Sequence, residues 1–428
     1  MEKMEIVKIE GLEILDSRGY PTVQTKVTLR CGAYGVAAVP SGASTGKYEA
    51  YELRDISNER YNGKGVLAAI ENIEKVITPA LLGIRASDGT RADHIMITLD
   101  GVHNKSNLGA NAILSVSIAI AKAAANALGI PLYRYLGGYT QTHLPIPMMN
   151  IINGGLHASN ALDVQEFMIL PVGASGFSEG MQMCAEIYHA LKKELSGVGF
   201  STAVGDEGGF APALQSDEEA IEMILKAIGR VGYKAPQDIM LGLDIASSEW
   251  YKGGIYHLEK KGIQKTRSEL ISHYKKLCET YPILSIEDGL ADDDFEGWKT
   301  LTQELGRDRL LVGDDLFVTN VGLLEKGIQE GIANAILIKP NQIGTLTETA
   351  AAVALAKQNG YKVILSHRSG DTADPSIADM AVAFGADFIK SGAPCRSERC
   401  SKYNRLLEIE SEMFSPQYGF SQNTGYLF

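Results

Sequence analysis

Six reactive side chains in the second half of the sequence each stand at the end of a short apolar run. The runs IMLGLD, ILSIED, LLVGDD, AILIKP, VILSHRS and DFIKSG carry, in that order, Asp244, Glu287, Asp314, Lys339, Arg368 and Lys390. Carboxylates without His or Cys suit Mg²⁺, Mn²⁺ or Ca²⁺ and not zinc. Arg368 with Ser369, and Lys390, suit a phosphate group. The pattern predicts a metal-dependent site for an anionic substrate.

Lys339 is the candidate base. It precedes Pro340, and proline disfavours helix at the preceding residue, so the lysine should stay extended at a strand end. Next to a divalent cation and partly desolvated, its pKa would fall from about 10.4 toward ~7–8, where an amine can accept a proton near neutral pH. A structural salt bridge to one of the carboxylates is the alternative, and the local sequence leaves both open.

Two further segments carry candidates without a clear local signal. TAVGDEGGF places Asp206 and Glu207 before two glycines, whose turn could present a carboxylate to a cavity, although a solvated turn explains the pattern equally well. NIINGGLHASNALDVQEFM carries His157, Gln165 and Glu166, and local reasoning assigns them no role.

The elements that must position these residues alternate between strand and helix. Short, near-continuous apolar runs are typical of parallel strands buried on both faces. After Glu287 they recur at intervals close to the roughly 30 residues of one strand–helix unit, and amphipathic segments such as SELISHYKKLCETY fill the gaps. The sequence predicts a (β/α)8-type barrel, in which the carboxyl ends of the strands meet at one face.

The first third of the chain reads as a small α+β domain. Alternating patterns predict strands at 4–10, 21–30 and 34–39, a Gly/Ser-rich loop at 41–46, and helices at 66–82 and about 108–128. The expected class is α/β, with an N-terminal α+β capping domain over residues 1–138 and a catalytic barrel over residues 139–428.

Composition excludes several classes of function. Lys and Arg number 40 against 52 Asp and Glu, a net charge of −12, so binding of nucleic acid through bulk charge is not expected. The odd, scattered cysteines favour neither disulfides nor a cysteine zinc site. No signal peptide is apparent, and polar residues within 110–130 favour a buried helix over a membrane span. We therefore expect a cytoplasmic protein, with a smaller cell-surface or secreted pool left open.

A series of motifs, in family order over nearly the whole chain, closely resembles the enolase (phosphopyruvate hydratase) family. They are LDSRGYPTV, VPSGASTGKYEAYELRD, NKSNLGANAILSVS, MMNIINGGLHASNALDVQEFM, AVGDEGGFAP, GLDIASSE, SIEDGLADDD, LVGDDLFVTN, LIKPNQIGT, LSHRSGDT and IKSGAPCRSERCSKYN. The resemblance implies an enolase fold, a lid domain followed by a barrel. It also implies the glycolytic interconversion of 2-phosphoglycerate and phosphoenolpyruvate plus water, in a homodimer or a higher ring of dimers.

The resemblance further implies a role for each site residue. Two Mg²⁺ ions are expected, the first held by Asp244, Glu287 and Asp314, and the second bound with substrate. Lys339 would remove the proton α to the carboxylate, and Glu207 would assist loss of the 3-hydroxyl. The other implied residues are Ser44 for the second metal and substrate, Arg368 and Ser369 for phosphate, Lys390 for the substrate carboxylate region, and Gln165, Glu166, His157 and His367 around substrate and leaving group.

Three positions depart from the family pattern. Tyr20 stands where Asn is usual, Leu156 replaces a polar or charged residue, and Pro375 lies inside DTADPSIAD; all three leave the implied ligands, acid and base intact. Two alternatives are weighed against this function. One is another metal-dependent lyase or racemase acting on an unphosphorylated acid, against which Arg368 and Ser369 speak. The other is a non-catalytic binding protein on the same scaffold, which would be expected to have lost ligands or the base.

Overall fold

The computed structural model describes residues 2–42, 46–56 and 59–419. It opens with a three-stranded antiparallel sheet of β1 (Ile6–Leu15), β2 (Pro21–Leu29) and β3 (Tyr34–Ala38). Strand β1 extends beyond the segment that the sequence predicted, because its pairing with β2 continues from Ile9 opposite Val27 to Leu15 opposite Pro21. The three predicted strands thus form one sheet.

Helices cover this sheet and lead to the second half of the chain. They are α1 (Leu67–Asn72), α2 (Thr78–Leu81), α3 (Gly89–Asp100), α4 (Ala110–Leu128) and α5 (Leu132–Gly137). Helix α4 lies directly on β3, where a Cβ added at Gly35 would be 2.2 Å from the carbonyl oxygen of Ala119. Within the described residues, α4 is the one helix long and apolar enough to cross a membrane, and 78% of its most apolar window is buried inside the fold. Its apolar character is therefore accounted for as a core helix.

The rest of the chain, from residue 143 onward, supplies thirteen strands and nine helices among the described residues. The strands are β4 (His143–Leu144), β5 (Ile146–Asn153), β6 (Glu166–Leu170), β7 (Met240–Asp244), β8 (Tyr251–Lys252), β9 (Ile255–Leu258), β10 (Ile263–Lys265), β11 (Ile283–Glu287), β12 (Leu310–Gly313), β13 (Ala335–Ile338), β14 (Lys362–Ser366), β15 (Phe388–Lys390) and β16 (Gln417–Tyr418). The helices are α6 (Phe177–Gly197), α7 (Asp217–Arg230), α8 (Arg267–Thr280), α9 (Phe295–Leu305), α10 (Val321–Glu330), α11 (Pro340–Ile343), α12 (Leu346–Gln358), α13 (Ser376–Ala383) and α14 (Ser397–Glu412).

Eight of these strands close into a barrel in the order β5, β6, β7, β11, β12, β13, β14 and β15. Each contributes to one separate apolar cluster, formed by Ile146, Met148, Met168, Leu170, Met240, Leu284, Leu310, Val312, Ala335, Leu337, Ile364 and Phe388. A packed interior of this kind is the usual core of such a barrel. The predicted fold class, an α/β protein with an N-terminal α+β part and a barrel, is confirmed; the division at residue 138 stays a prediction.

One strand of the barrel runs against the others. Strand β6 pairs antiparallel with both β5 and β7, whereas a simple (β/α)8 repeat has all strands parallel. The reason is that no long helix separates β5 from β6, while α6 and α7 both follow β6. The reversal places the first residue of β6, Glu166, opposite the last residue of β7, Asp244.

The long interval between Asp244 and Glu287 is filled by a small separate sheet of β8, β9 and β10. Lys260, in the turn between β9 and β10, donates from Nζ to the carbonyl oxygens of Gly155 at 2.7 Å and Ala158 at 3.1 Å. The insertion therefore holds the loop between β5 and β6, which carries His157.

Candidate active site

A cavity of about 220 Å³ lies at the face of the barrel where the parallel strands end. The residues singled out from the sequence that line it are His157, Gln165, Glu166, Glu207, Asp244, Asp314, Lys339, His367, Arg368, Ser369 and Lys390. Glu287 is not among the lining residues but contacts Lys390. Ser44 lies outside the described residues.

The alternation of side chains along each strand explains why the charged residues point into the cavity. Side chains two residues apart lie on the same face of a strand. Leu337 belongs to the apolar cluster inside the barrel, so Lys339 continues its face; Val312 leads in the same way to Asp314, and Phe388 to Lys390. In β11 an irregularity in the pairing between Ile283 and Ser285 shifts the alternation. The strands thus carry an apolar core that becomes polar at one end.

Lys390 lies at the centre of the acidic wall. Its Nζ is 2.9 Å from Asp244 Oδ2, 2.9 Å from Glu287 Oε2 and 3.1 Å from Glu166 Oε2, and the residue is 3% exposed. Burial, together with the charge of Asp244, raises the pKa of Glu287 to about 8 against the opposing effect of Lys390. Burial disfavours the charged form of Lys390, but the surrounding carboxylates outweigh it and hold its pKa well above the usual value.

Lys339 forms an ion pair with Asp314. Its backbone N–H donates to Thr319 Oγ1 at 2.9 Å, and the same hydroxyl donates to Gln342 Oε1 at 2.8 Å. Gln342 Nε2 in turn donates to Asp314 Oδ1 at 3.2 Å. Burial acts to lower the pKa of Lys339, but the Asp314 carboxylate outweighs it and the pKa is raised. Lys339 thus makes the salt bridge that the local sequence leaves open as the alternative, and the lowered pKa, which is expected next to a divalent cation, stays a prediction.

Arg368 is bound by a residue from the N-terminal part of the chain. Its Nη1 lies 2.9 Å from Glu49 Oε2, and its Nη2 donates to Glu49 Oε1 at 3.2 Å. Both side chains are 6% exposed. Sequence reasoning missed Glu49, although it lies five residues after Ser44 in the same motif. The N-terminal domain therefore supplies one wall of the cavity.

Glu207 lies in the predicted glycine turn, next to Ser369, one of the two candidate phosphate-binding residues. Gly208 has φ +88°, and a Cβ there would be 2.7 Å from the carbonyl oxygen of Cys395. Glu207 accepts from Asn150 Nδ2 at 3.2 Å and from Ser369 Oγ at 3.2 Å. The turn thus presents a buried carboxylate to the cavity, as its sequence allowed.

Two histidines face the two glutamates. His367 Nε2 lies 3.5 Å from Glu207 Oε2, and His157 Nδ1 lies 3.6 Å from Glu166 Oε1. Burial lowers the pKa of His367 to about 4, so its ring is neutral at neutral pH. One side of the cavity is therefore the acidic wall around Lys390. On the other side, His367 and His157 lie next to the carboxylates of Glu207 and Glu166.

Comparison with known families decides between the classes of protein that such a cavity could serve. A model described as the N-terminal domain of enolase matches residues 6–136, and one described as the C-terminal TIM barrel domain of enolase matches residues 141–423. The chain belongs to the enolase family. It is accordingly a lyase-type enzyme of the enolase superfamily, and its family uses a divalent metal and acts on a small molecule.

The donor set of this enolase-family protein fits a hard divalent cation. The implied ligands Asp244, Glu287 and Asp314 offer oxygen atoms alone, as Mg²⁺ prefers. Lys390 bridges the carboxylates of Asp244 and Glu287, and Lys339 pairs with that of Asp314. Among the described residues, the groups whose ligand atoms already lie within 4.8 Å of one another are Asp288 with Asp314 and Asp315, and His157 with Glu166 and Glu207.

Asp288 stands beside Glu287 at the end of ILSIED, and the sequence alone assigns it no role. Its Oδ1 accepts from the backbone N–H of Asp314 at 3.0 Å and its Oδ2 from that of Asp315 at 2.9 Å. It therefore fixes the backbone that presents Asp314, one of the implied ligands. The signal was present, because Asp288 directly follows Glu287 in the run ILSIED.

Of the three departures from the enolase pattern, Leu156 is the one among the residues that line the cavity. It is 69% exposed. The backbone N–H of Tyr20 donates to Asp16 Oδ1 at 2.9 Å, which closes the turn there. Pro375 immediately precedes α13. Leu156 thus changes the lining of the cavity, and all three departures leave the implied acids, bases and ligands in place.

Proposed function

We propose that this enolase-family protein catalyses the reversible, Mg²⁺-dependent dehydration of 2-phosphoglycerate to phosphoenolpyruvate. The observation that supports this most directly is that one cavity joins an acidic wall, a lysine at a strand end, and a buried glutamate beside an Arg-Ser pair. These are the groups that removal of a proton next to a carboxylate and loss of a hydroxyl require. No single one of them would suffice.

Lys339 is the base in this proposal. Its side chain is 15% exposed and is held by the ion pair with Asp314, and its backbone is fixed by Thr319, so its nitrogen has little freedom to move away from a bound substrate; the neutral amine is the form that accepts the proton. Loss of the proton α to a carboxylate builds negative charge on the carboxylate oxygens, and Mg²⁺ held by Asp244, Glu287 and Asp314 supplies stabilisation of that charge when bound. A second Mg²⁺, with Ser44, completes the expected set.

Glu207 is the group that assists departure of the 3-hydroxyl. It is 4% exposed, and its neighbours Asn150 and Ser369 hold it by hydrogen bonds at 3.2 Å. Burial disfavours its charged form, but His367 and His157 outweigh this and hold the pKa of Glu207 well below its usual range. Glu207 therefore has to take up a proton before it can deliver one to the leaving oxygen, and because it is fixed in place, that delivery needs no reorganisation of solvent. His157, Glu166, Gln165 and His367 surround the same region.

The cationic groups favour a phosphorylated substrate. Arg368 presents a planar guanidinium, which binds phosphate through two hydrogen bonds, and Ser369 lies next to it. Lys390 provides a further positive charge toward the substrate carboxylate. An unphosphorylated acid would bring no phosphate for Arg368 to bind, and this distinguishes the proposal from another lyase or racemase on the same fold.

The test is to follow phosphoenolpyruvate by its ultraviolet absorbance after 2-phosphoglycerate is added. We expect formation with Mg²⁺, none with excess chelator, and recovery when Mg²⁺ is restored. Glycerate, which has the same carbon chain without the phosphate, serves as the matched substrate control. Turnover of glycerate without turnover of 2-phosphoglycerate would favour the other lyase or racemase, and failure on both would favour a binding protein. The cytoplasmic location and the homodimer stay predictions.

A further inference from the structure

Arg399 belongs to the motif IKSGAPCRSERCSKYN and has no role in the function proposed above. It lies in the first turn of α14 and is 0% exposed. Its Nη1 is 2.6 Å from His367 Nδ1 and donates to the carbonyl oxygen of Arg368 at 2.6 Å. Its Nη2 donates to the carbonyl oxygens of Ser369 at 2.6 Å and Asp206 at 3.1 Å. One buried guanidinium thus joins the segment 367–369 to the turn that carries Glu207.

The contact with the imidazole ring has only one possible direction. A guanidinium is always protonated in proteins and has no acceptor, so it can only donate. His367 Nδ1 must therefore accept, and a nitrogen that accepts carries no proton. In a neutral ring the proton then sits on Nε2. Protonation of Nδ1 would direct its N–H at a guanidinium N–H only 2.6 Å away.

We infer that Arg399 is a positioning residue that locks His367 as the neutral tautomer with its proton on Nε2. The proton is directed toward Glu207 Oε2, which lies 3.5 Å from Nε2. His367 then acts as a fixed hydrogen-bond donor to Glu207 and to the leaving oxygen, and it does not carry a proton between them. This last role rests on the proposed function, whereas the tautomer rests on the contacts of Arg399 alone.

The charges around His367 agree with this assignment. Glu207 faces Nε2, Arg399 faces Nδ1, and Asp371 Oδ2 lies 3.8 Å from Arg399 Nη1. Asp371 is itself bound by Lys402 Nζ at 2.8 Å. Burial lowers the pKa of the ring to about 4. The ring therefore lies between one fixed donor and one fixed acceptor.

The first test is a nitrogen NMR spectrum of the full chain labelled at histidine, recorded at neutral pH without substrate. The His367 signals are assigned by their loss in His367→Gln. We expect a protonated nitrogen at Nε2 and an unprotonated nitrogen at Nδ1, whereas the exposed His94 and His103 serve as controls that exchange between forms. A protonated Nδ1, in either a neutral or a charged ring, would overturn the inference.

The second test uses two substitutions that each keep one ring nitrogen. Gln places an amide N–H near the position of Nε2, whereas Asn reaches only the position of Nδ1. If His367 acts as a donor from Nε2, His367→Gln should keep kcat within about tenfold of the wild type, and His367→Asn should lose about 10²–10³-fold, as expected when one fixed donor is removed. Equal and complete loss in both variants would instead show that the ring must transfer a proton, and would refute this role.

The third test addresses Arg399 directly. Arg399→Lys keeps a charged donor and should retain the Nε2–H form of His367, whereas Arg399→Met should release Nδ1 and let the proton move to it. An unchanged tautomer in a folded Arg399→Met protein would refute the locking role; if that variant does not fold, the wild-type spectrum and the Gln/Asn pair still decide. The spectra need no turnover, so a wild type inactive on 2-phosphoglycerate would refute the proposed function and leave the tautomer to be judged separately.

Discussion

Replacement of Lys390 by Met should make the protein bind a divalent cation more tightly while it becomes less stable without one. Lys390 neutralises Asp244, Glu287 and Glu166 at distances of 2.9–3.1 Å. Met has a similar length and no charge, so the change removes the ammonium and leaves the carboxylates buried. The ammonium and a divalent cation compete for the same oxygen atoms, so removal of the ammonium should strengthen binding of the cation.

The contact distances set the magnitude. Two oxygens that each contact the same ammonium lie no more than about 6 Å apart, where two unit charges interact by roughly 3 kcal/mol at an effective dielectric constant of about 20. Because the pKa of Glu287 is about 8, this magnitude applies to titrations above that pH. Loss of that compensation should tighten cation binding by about 100-fold. Breaking a buried ion pair costs about 3–5 kcal/mol of the free energy of unfolding when nothing replaces the lost partner.

The measurements are titration calorimetry with Mg²⁺ and urea unfolding with and without saturating Mg²⁺. We expect Lys390→Met to lose stability in chelator and to regain most of it with Mg²⁺, because a ligand that binds only the folded state stabilises it. Lys390→Arg keeps the charge and is the matched control, with cation affinity near that of the wild type. If Lys390→Met binds Mg²⁺ no more tightly than the wild type, the ammonium and the cation do not share these carboxylates, and the reasoning is wrong.

Three further predictions follow from other parts of the structure. Lys339→Ala should abolish turnover of 2-phosphoglycerate while calorimetry still detects Mg²⁺ binding, and near-normal turnover would exclude Lys339 as the base. Because burial lowers the pKa of His367 to about 4 from an unfolded value of about 6.5, its contribution to stability is complete above pH ~6.5 and is lost as the pH falls. Between about pH 6.5 and 5 the wild type should therefore lose roughly 2 kcal/mol more than His367→Gln in urea unfolding; equal losses would contradict the assignment. Gly35→Ala should lower the free energy of unfolding by at least about 1–3 kcal/mol, because its Cβ would overlap Ala119 at 2.2 Å, and an unchanged urea midpoint would show that α4 can move away from β3.

The barrel and its charged rim could be predicted because apolar runs recur at about the length of one strand–helix unit, and each run ends in a charged residue. Runs such as AILIKP and LLVGDD are apolar up to their charged ends, which is typical of a strand buried on both faces. Each run ends where its strand leaves the core, so Lys339 and Asp314 are the first residues free to be charged. Closure of the sheet brings the ends of the parallel strands to one face, so Lys339 and Asp314 are expected to lie near each other. Both residues line the same cavity.

The contacts between distant segments could not be predicted in this way. The reversal of β6 depends on where the chain turns back after β5, which the apolar pattern of EFMIL does not record. Glu49 reaches Arg368 across 319 residues of sequence, and Arg399 reaches Asp206 across 193. No local pattern marks a carboxylate or a guanidinium for a partner so far away, since only the packing of the two halves of the chain brings them together.

Glu49 already occupies the guanidinium of Arg368, so an anion that binds there has to displace the Glu49 carboxylate. A phosphate group gains two charge-assisted hydrogen bonds there and the carboxylate of Glu49 gives up two of the same kind, so the net gain from that step alone is small. Inorganic phosphate, which offers nothing else, should accordingly be a poor competitor for the site. An anion that also binds the acidic wall through cations gains additional binding energy. Part of that energy displaces the segment around Glu49. The site therefore selects its ligand by all of these contacts together and not by negative charge alone.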